Sequence, residues 1–135
     1  MNPNGINSGK AEKKYSQKFE IMLMTNLKHI ESEEDYNKVL NSDENVMICC
    51  GRMGPMCIPV YSAMKELESE YPKVNFYDMA FDHPDAGLIR NLPECSGFMG
   101  LPFTVYYKNG KVVKATTSIQ SEAQIKDILD TEFGK

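Results

Sequence analysis

The stretch from Val46 to Met64 constrains this chain more than any other, because three of its four cysteines, Cys49, Cys50 and Cys57, fall inside it. The apolar run from Val46 to Cys50 has no polar alternation and reads as a strand buried on both faces. Gly51, Gly54 and Pro55 then punctuate a loop. Cys57, Val60, Tyr61, Met64, Leu67 and Tyr71 follow at the spacing of a core-facing stripe, which predicts a helix from Cys57 to Tyr71 that stops at Pro72. Strand, loop and helix in that order place a thiol at a helix N-terminus. There the helix dipole and the unpaired first-turn N–H groups favour a thiolate, so Cys57 is the first candidate for reactivity. The competing reading treats these thiols as small core hydrophobes, since free cysteine is among the most buried residue types.

A length of 135 residues suits one domain with its own core, and cross-links are not needed for it to fold. A net charge of -4 with no clustered basic face argues against a nucleic-acid partner. No apolar run approaches the roughly 20 residues of a membrane span, and Ile21 to Met24 is too short for the core of a secretory signal. The expectation is therefore no membrane association and a cytoplasmic location. Four cysteines are too few for a small disulfide scaffold, and their crowding reads as redox or metal chemistry.

Residues 1 to 14 are rich in Asn, Gly, Ser and Lys and are expected to form a flexible tail, with the folded domain covering residues 15 to 135. Tyr15 to Asn26 fits a short helix or a strand. Leu27 to Ile30 predicts a strand, and Ser32 followed by Glu33, Glu34 and Asp35 predicts a capped helix with Tyr36, Val39 and Leu40 on its apolar face. Beyond the central stretch, Val74 to Phe81 reads as a strand and Ala86 to Leu92 as a short helix. Residues 93 to 100 form an irregular segment. Leu101 to Tyr107 and Lys111 to Thr117 flank Asn109-Gly110, the strongest short hairpin signal. Ser121 and Gln124 form a capping box ahead of Ile125, Ile128, Leu129 and Phe133. This order predicts an α/β fold, a central mixed sheet flanked by helices on both faces.

From residue 27 onward these features together resemble the thioredoxin family. They are the strand-loop-cysteine-helix unit, the strand ending near Asp82, Gly100-Leu101-Pro102 before a strand, Lys108-Asn109-Gly110, and the closing helix. The resemblance implies a thioredoxin-like fold and a cis Leu101–Pro102 bond lying beside the active-site cysteine. It also implies a substrate groove that Leu101, Pro102, Met53, Met56 and Met99 would line. The motif itself departs from the family's Cys-x-x-Cys: Met53 stands where the first cysteine belongs, and Cys57 matches the second after one extra residue. A second register makes Cys57 the first cysteine and Val60 its lost partner. On the first register the partner thiol is expected to be Cys50, with Cys49 next. Regular strand alternation forbids both from facing Cys57. Whether Cys95 reaches the same site from the cis-proline side is left open by its seven-residue distance from Pro102.

The leading expectation is a thiol-disulfide oxidoreductase cycling Cys57 with Cys50 or Cys49, without a cofactor or metal. Its partners would be protein disulfides and a reductase or other electron donor. The alternative is a non-catalytic binding module of the same fold that has lost this chemistry. A soft-metal or iron-sulfur site is disfavoured, because the cysteine spacings match no standard cluster and His29 and His83 show no ligand spacing. Both histidines read as ordinary surface or turn residues.

Overall fold

The apolar run at the middle of the sequence becomes the middle of the sheet in the computed structural model, which describes residues 23 to 134. The tail expected over residues 1 to 14 and most of the undecided stretch from Tyr15 to Asn26 lie outside the described residues. Strand β1 (Lys28–Ile30) leads into helix α1 (Glu33–Ser42), capped by the Ser32 side chain accepting from the Asp35 N–H. β2 (Asn45–Gly51) follows, then α2 (Ile58–Leu67) and β3 (Val74–Ala80). The connection to β4 holds the short helix α3 (Gly87–Arg90) between two 3-10 turns, Pro84–Ala86 and Pro93–Cys95. The hairpin β4 (Phe103–Lys108) and β5 (Lys111–Thr117) precedes α4 (Glu122–Phe133).

The strand order is β1-β3-β2-β4-β5. β1 and β2 both run parallel to β3, whereas β4 is antiparallel to β2 and to β5. The hairpin turns at Asn109 and Gly110, both with positive φ, the conformation that Asn-Gly tolerates best. The capping box at Ser121 is formed in full, each partner accepting from the other's backbone N–H.

Alternation along β2 splits the core into two layers. Met47 and Cys49 face α2 and α4, packed with Cys57, Tyr61, Met64 and Leu129. Val46, Ile48 and Cys50 face α1 and α3, packed with Tyr36, Ile89, Cys95 and Phe103. Every residue of β2 is buried, which is why its sequence carries no polar alternation. The helix predicted to reach Tyr71 ends at Leu67, and turns carry the chain on to β3. Among the described residues no helix is long and apolar enough to cross a membrane.

Candidate functional site

Cys57 is the N-cap residue of α2 and is 2% exposed. The loop before it folds back so that the Ile58 N–H donates to the Gly54 carbonyl at 2.9 Å, and the Val60 and Tyr61 N–H groups donate to the Cys57 carbonyl. Pro59 has no N–H to offer. The open first-turn donors expected from the sequence are therefore occupied. The polar hydrogen aimed at the sulfur comes instead from the loop, where the Arg52 N–H points at Cys57 Sγ at 3.4 Å. Arg52 is itself fixed by a paired contact from its guanidinium to Asp82, with both bonds at 2.8 Å. That contact holds the Asp82 carboxyl below the usual carboxylate range.

Three side chains converge on the backbone where β2 gives way to this loop. A methyl group on Gly51 would lie 2.7 Å from Cys57 Sγ, 2.7 Å from the Tyr61 hydroxyl and 3.1 Å from Pro102 Cβ. Only a residue without Cβ lets the thiol, the phenol and the proline approach this closely. The Leu101–Pro102 peptide is cis. Tyr61 donates its hydroxyl to the Arg52 carbonyl at 3.1 Å, which ties α2 to the loop over the sulfur.

The thiols divide between the two layers. Cys50, the first-choice partner, packs with Cys95 on the layer opposite Cys57, because it differs by one residue in strand parity from Cys49. Burial pushes the Cys50 thiol up to about 12, and burial likewise raises Cys95. Cys95 therefore adjoins Cys50 and belongs to the far side of the sheet. Cys49 is the thiol that shares a layer with Cys57. It is wholly buried, the Thr104 hydroxyl lies 3.8 Å from its sulfur, and burial raises it well above the ordinary thiol range. All four thiols are free.

The residues expected to line a groove are spread around this point. Met53 and Met56 are 43% and 45% exposed on the loop, and Met99 is 92% exposed on the segment before the cis-proline. Leu101 is half-buried and Pro102 is buried. Met53 also lines a cleft of about 310 Å³ with Met24, Thr25, Leu27, Ile58 and Tyr61, which Met56, Met99 and Pro102 do not reach. A larger cleft, about 600 Å³ between α2 and the start of α4, holds no thiol. Among the described residues no group of three or more His, Cys, Asp or Glu side chains is placed to hold a metal ion.

The sequence reading missed Asp78 and misjudged His29. Asp78 is 1% exposed, the one buried carboxylate among the described residues, and sits on β3 directly beside Cys49 on β2. Its carboxylate is bonded to His29 Nδ1 at 2.6 Å and accepts from the Thr25 hydroxyl. His29 is thus a partner of a buried acid, and its side chain keeps 29% exposure. The signal was present only as an Asp inside an apolar strand and a His inside another, and their pairing requires the β1/β3 register.

No family model matches the chain, and no curated protein matches it. Solved structures do. Plasmodium falciparum thioredoxin superposes with a TM-score of 0.63 at 18% identity, covering 78% of this chain and 99% of that one. Thioredoxin f2 of Chlamydomonas reinhardtii gives 0.66 at 13% identity, covering 81% and 98%. Mitochondrial thioredoxin 3 of Saccharomyces cerevisiae gives 0.62 at 20% identity, covering 77% and 94%. With the sheet order, the two helical layers and the cysteine at the head of α2, these likenesses show that the chain has the thioredoxin fold.

Proposed function

We propose that this protein is a thioredoxin-type thiol-disulfide oxidoreductase acting on protein disulfides, with Cys57 as its central thiol and Cys49 as the second. The observation that carries the reading is the convergence of Cys57 Sγ, Tyr61 and Pro102 on Gly51. In the proposed cycle the segment from Arg52 to Met56 swings off the sulfur and Cys57 attacks one sulfur of the substrate disulfide. A mixed disulfide forms and the other substrate sulfur leaves as a thiolate. Cys49 then attacks Cys57 Sγ, the Cys49–Cys57 bond forms, and the second substrate sulfur is released. The substrate gains two electrons, which a reductase or another dithiol donor returns to the protein. Met53, Met56, Met99 and Leu101 supply an adaptable apolar surface for an extended substrate segment. A cytoplasmic location, where thiols stay reduced, belongs to the same proposal.

A second reading is a binding module with the same surface and no cycle. What favours it is that Met53, which the resemblance sets against the family's first cysteine, is an exposed thioether, while Cys57 and Cys49 are buried. Mapping disulfides by mass spectrometry after mild oxidation separates the two. A Cys49–Cys57 bond that dithiothreitol reverses, together with insulin reduction above background, supports the oxidoreductase. Absence of any reversible bond involving Cys57 leaves the binding module.

A further inference from the structure

The pairing of β2 with β4 places a polar group beside the second thiol that the cycle above leaves unused. The antiparallel register sets Cys49 on β2 directly opposite Thr104 on β4. Residues opposed in this way project to the same face with Cβ atoms about 4.5–5.5 Å apart. That face also carries Gly51, two residues on from Cys49, and Pro102, two residues before Thr104, which approach each other beside Cys57 Sγ. Thr104 is wholly buried, and its hydroxyl lies 3.8 Å from Cys49 Sγ, within reach of a sulfur acceptor. A buried hydroxyl is costly without a partner, and valine would fill the same space on a strand. The bond to sulfur offsets that cost. Tyr106, two residues further along β4, provides the contrast: it too is wholly buried, and its hydroxyl has no hydrogen-bond partner among the described residues.

We infer that the Thr104 hydroxyl donates to the Cys49 sulfur and stabilises it as the attacking thiolate of the resolving step. This rests on the dithiol cycle proposed above and names the group that makes a wholly buried thiol competent in it. A neutral thiol can share the bond in either direction, whereas a thiolate has no proton and only accepts. A hydrogen bond to a charged acceptor is roughly twice as strong as one between neutral groups, so the hydroxyl favours the ionised form. In the step itself the Cys49 thiolate attacks Cys57 Sγ, the Cys49–Cys57 bond forms, and the bond from Cys57 to the substrate sulfur breaks with its electron pair. The proton lost by Cys49 ends on the departing substrate thiolate or on buffer. Burial opposes the charge on Cys49, as do Cys57 from α2, Cys50 on the same strand and Asp78 from β3, the last bonded to His29 of β1. Tyr61 from α2 and Tyr106 from β4 stand in the field of the same sulfur. Thr104 is the neighbour that works in favour of the thiolate.

The test uses the full chain carrying Cys50→Ala and Cys95→Ala, which removes the two thiols of the far layer. Ellman's reagent first loads Cys57 as a mixed disulfide and releases one coloured thiolate. Attack by Cys49 then releases a second, at a rate that does not depend on reagent concentration. Thr104→Val should slow that second release at neutral pH by about tenfold, the loss of one hydrogen bond to a charged group, and move its pH profile upward. The variant and parent rates should converge as pH rises and Cys49 ionises without help. Thr104→Ser keeps the hydroxyl and should keep the parent profile. Tyr106→Phe removes an unbonded hydroxyl from the same face and should keep it too. If Thr104→Val fails to fold, Thr104→Ala compared with Thr104→Ser decides the matter. A second release at the parent rate, or one slowed equally at every pH, overturns the role of Thr104 and leaves the cycle standing. Release of only the first thiolate from the parent protein overturns the cycle and this role with it.

Discussion

Gly51→Ala tests whether the geometry around Cys57 is as close as described. The added Cβ would meet Cys57 Sγ and the Tyr61 hydroxyl at 2.7 Å and Pro102 Cβ at 3.1 Å. None of the three yields easily, because Cys57 caps α2, Tyr61 is bonded to the Arg52 carbonyl, and Pro102 is buried beside β4. Overpacking of this kind costs about 1–3 kcal/mol. Alanine also removes unfolded-state freedom, which returns about 0.4–1 kcal/mol. The net expectation is a loss of about 1–2 kcal/mol. At roughly 4 °C per kcal/mol for a domain near this size, thermal unfolding should fall by about 4–8 °C. Gly54→Ala is the internal control, since its Cβ meets nothing within 4 Å. It should be neutral or slightly stabilising. Differential scanning calorimetry on the three proteins gives the comparison, and thiol labelling of Cys57 gives a second readout, because relief of the clash must displace the sulfur or the loop above it. Equal stability for the Gly51 and Gly54 variants, with unchanged labelling, would refute the convergence.

Tyr61→Phe removes the hydroxyl that holds the loop and should cost about 1 kcal/mol while speeding alkylation of Cys57, measured by quenched labelling and mass spectrometry. Asp78 gives a pH signature: burial raises its folded-state value above the unfolded one of about 3.9, so between those two values the folded protein holds a proton that the unfolded chain has lost. Stability contributed by this group should therefore fall as pH rises through that window and level off above it. Asp78→Asn should flatten that slope in thermal melts taken across the acid range. Ser121→Ala removes a complete capping box from α4 and should cost about 1 kcal/mol by urea unfolding, leaving thiol labelling at Cys57 unchanged.

The order of elements was legible from the chain alone because its signals are local. The unalternated run in β2, the Ser32 and Ser121 caps, and Asn109-Gly110 each act over a few residues, and the structure forms each of them. The position of Cys57 at the head of α2 was equally legible from the Gly/Pro loop before it. What it meets there was not. The expected helix-terminus donors are consumed by a backward turn to Gly54, and the donor at the sulfur is Arg52. Alternation states that Cys49 and Cys50 face opposite ways, but which one faces Cys57 depends on the side of the sheet that α2 crosses, a tertiary choice. The same holds for the Asp78–His29 bond, between residues 49 positions apart, which exists only because β1 pairs with β3 in one register. Pattern along a chain reports which residues share a face; sheet order and crossover side decide which faces meet.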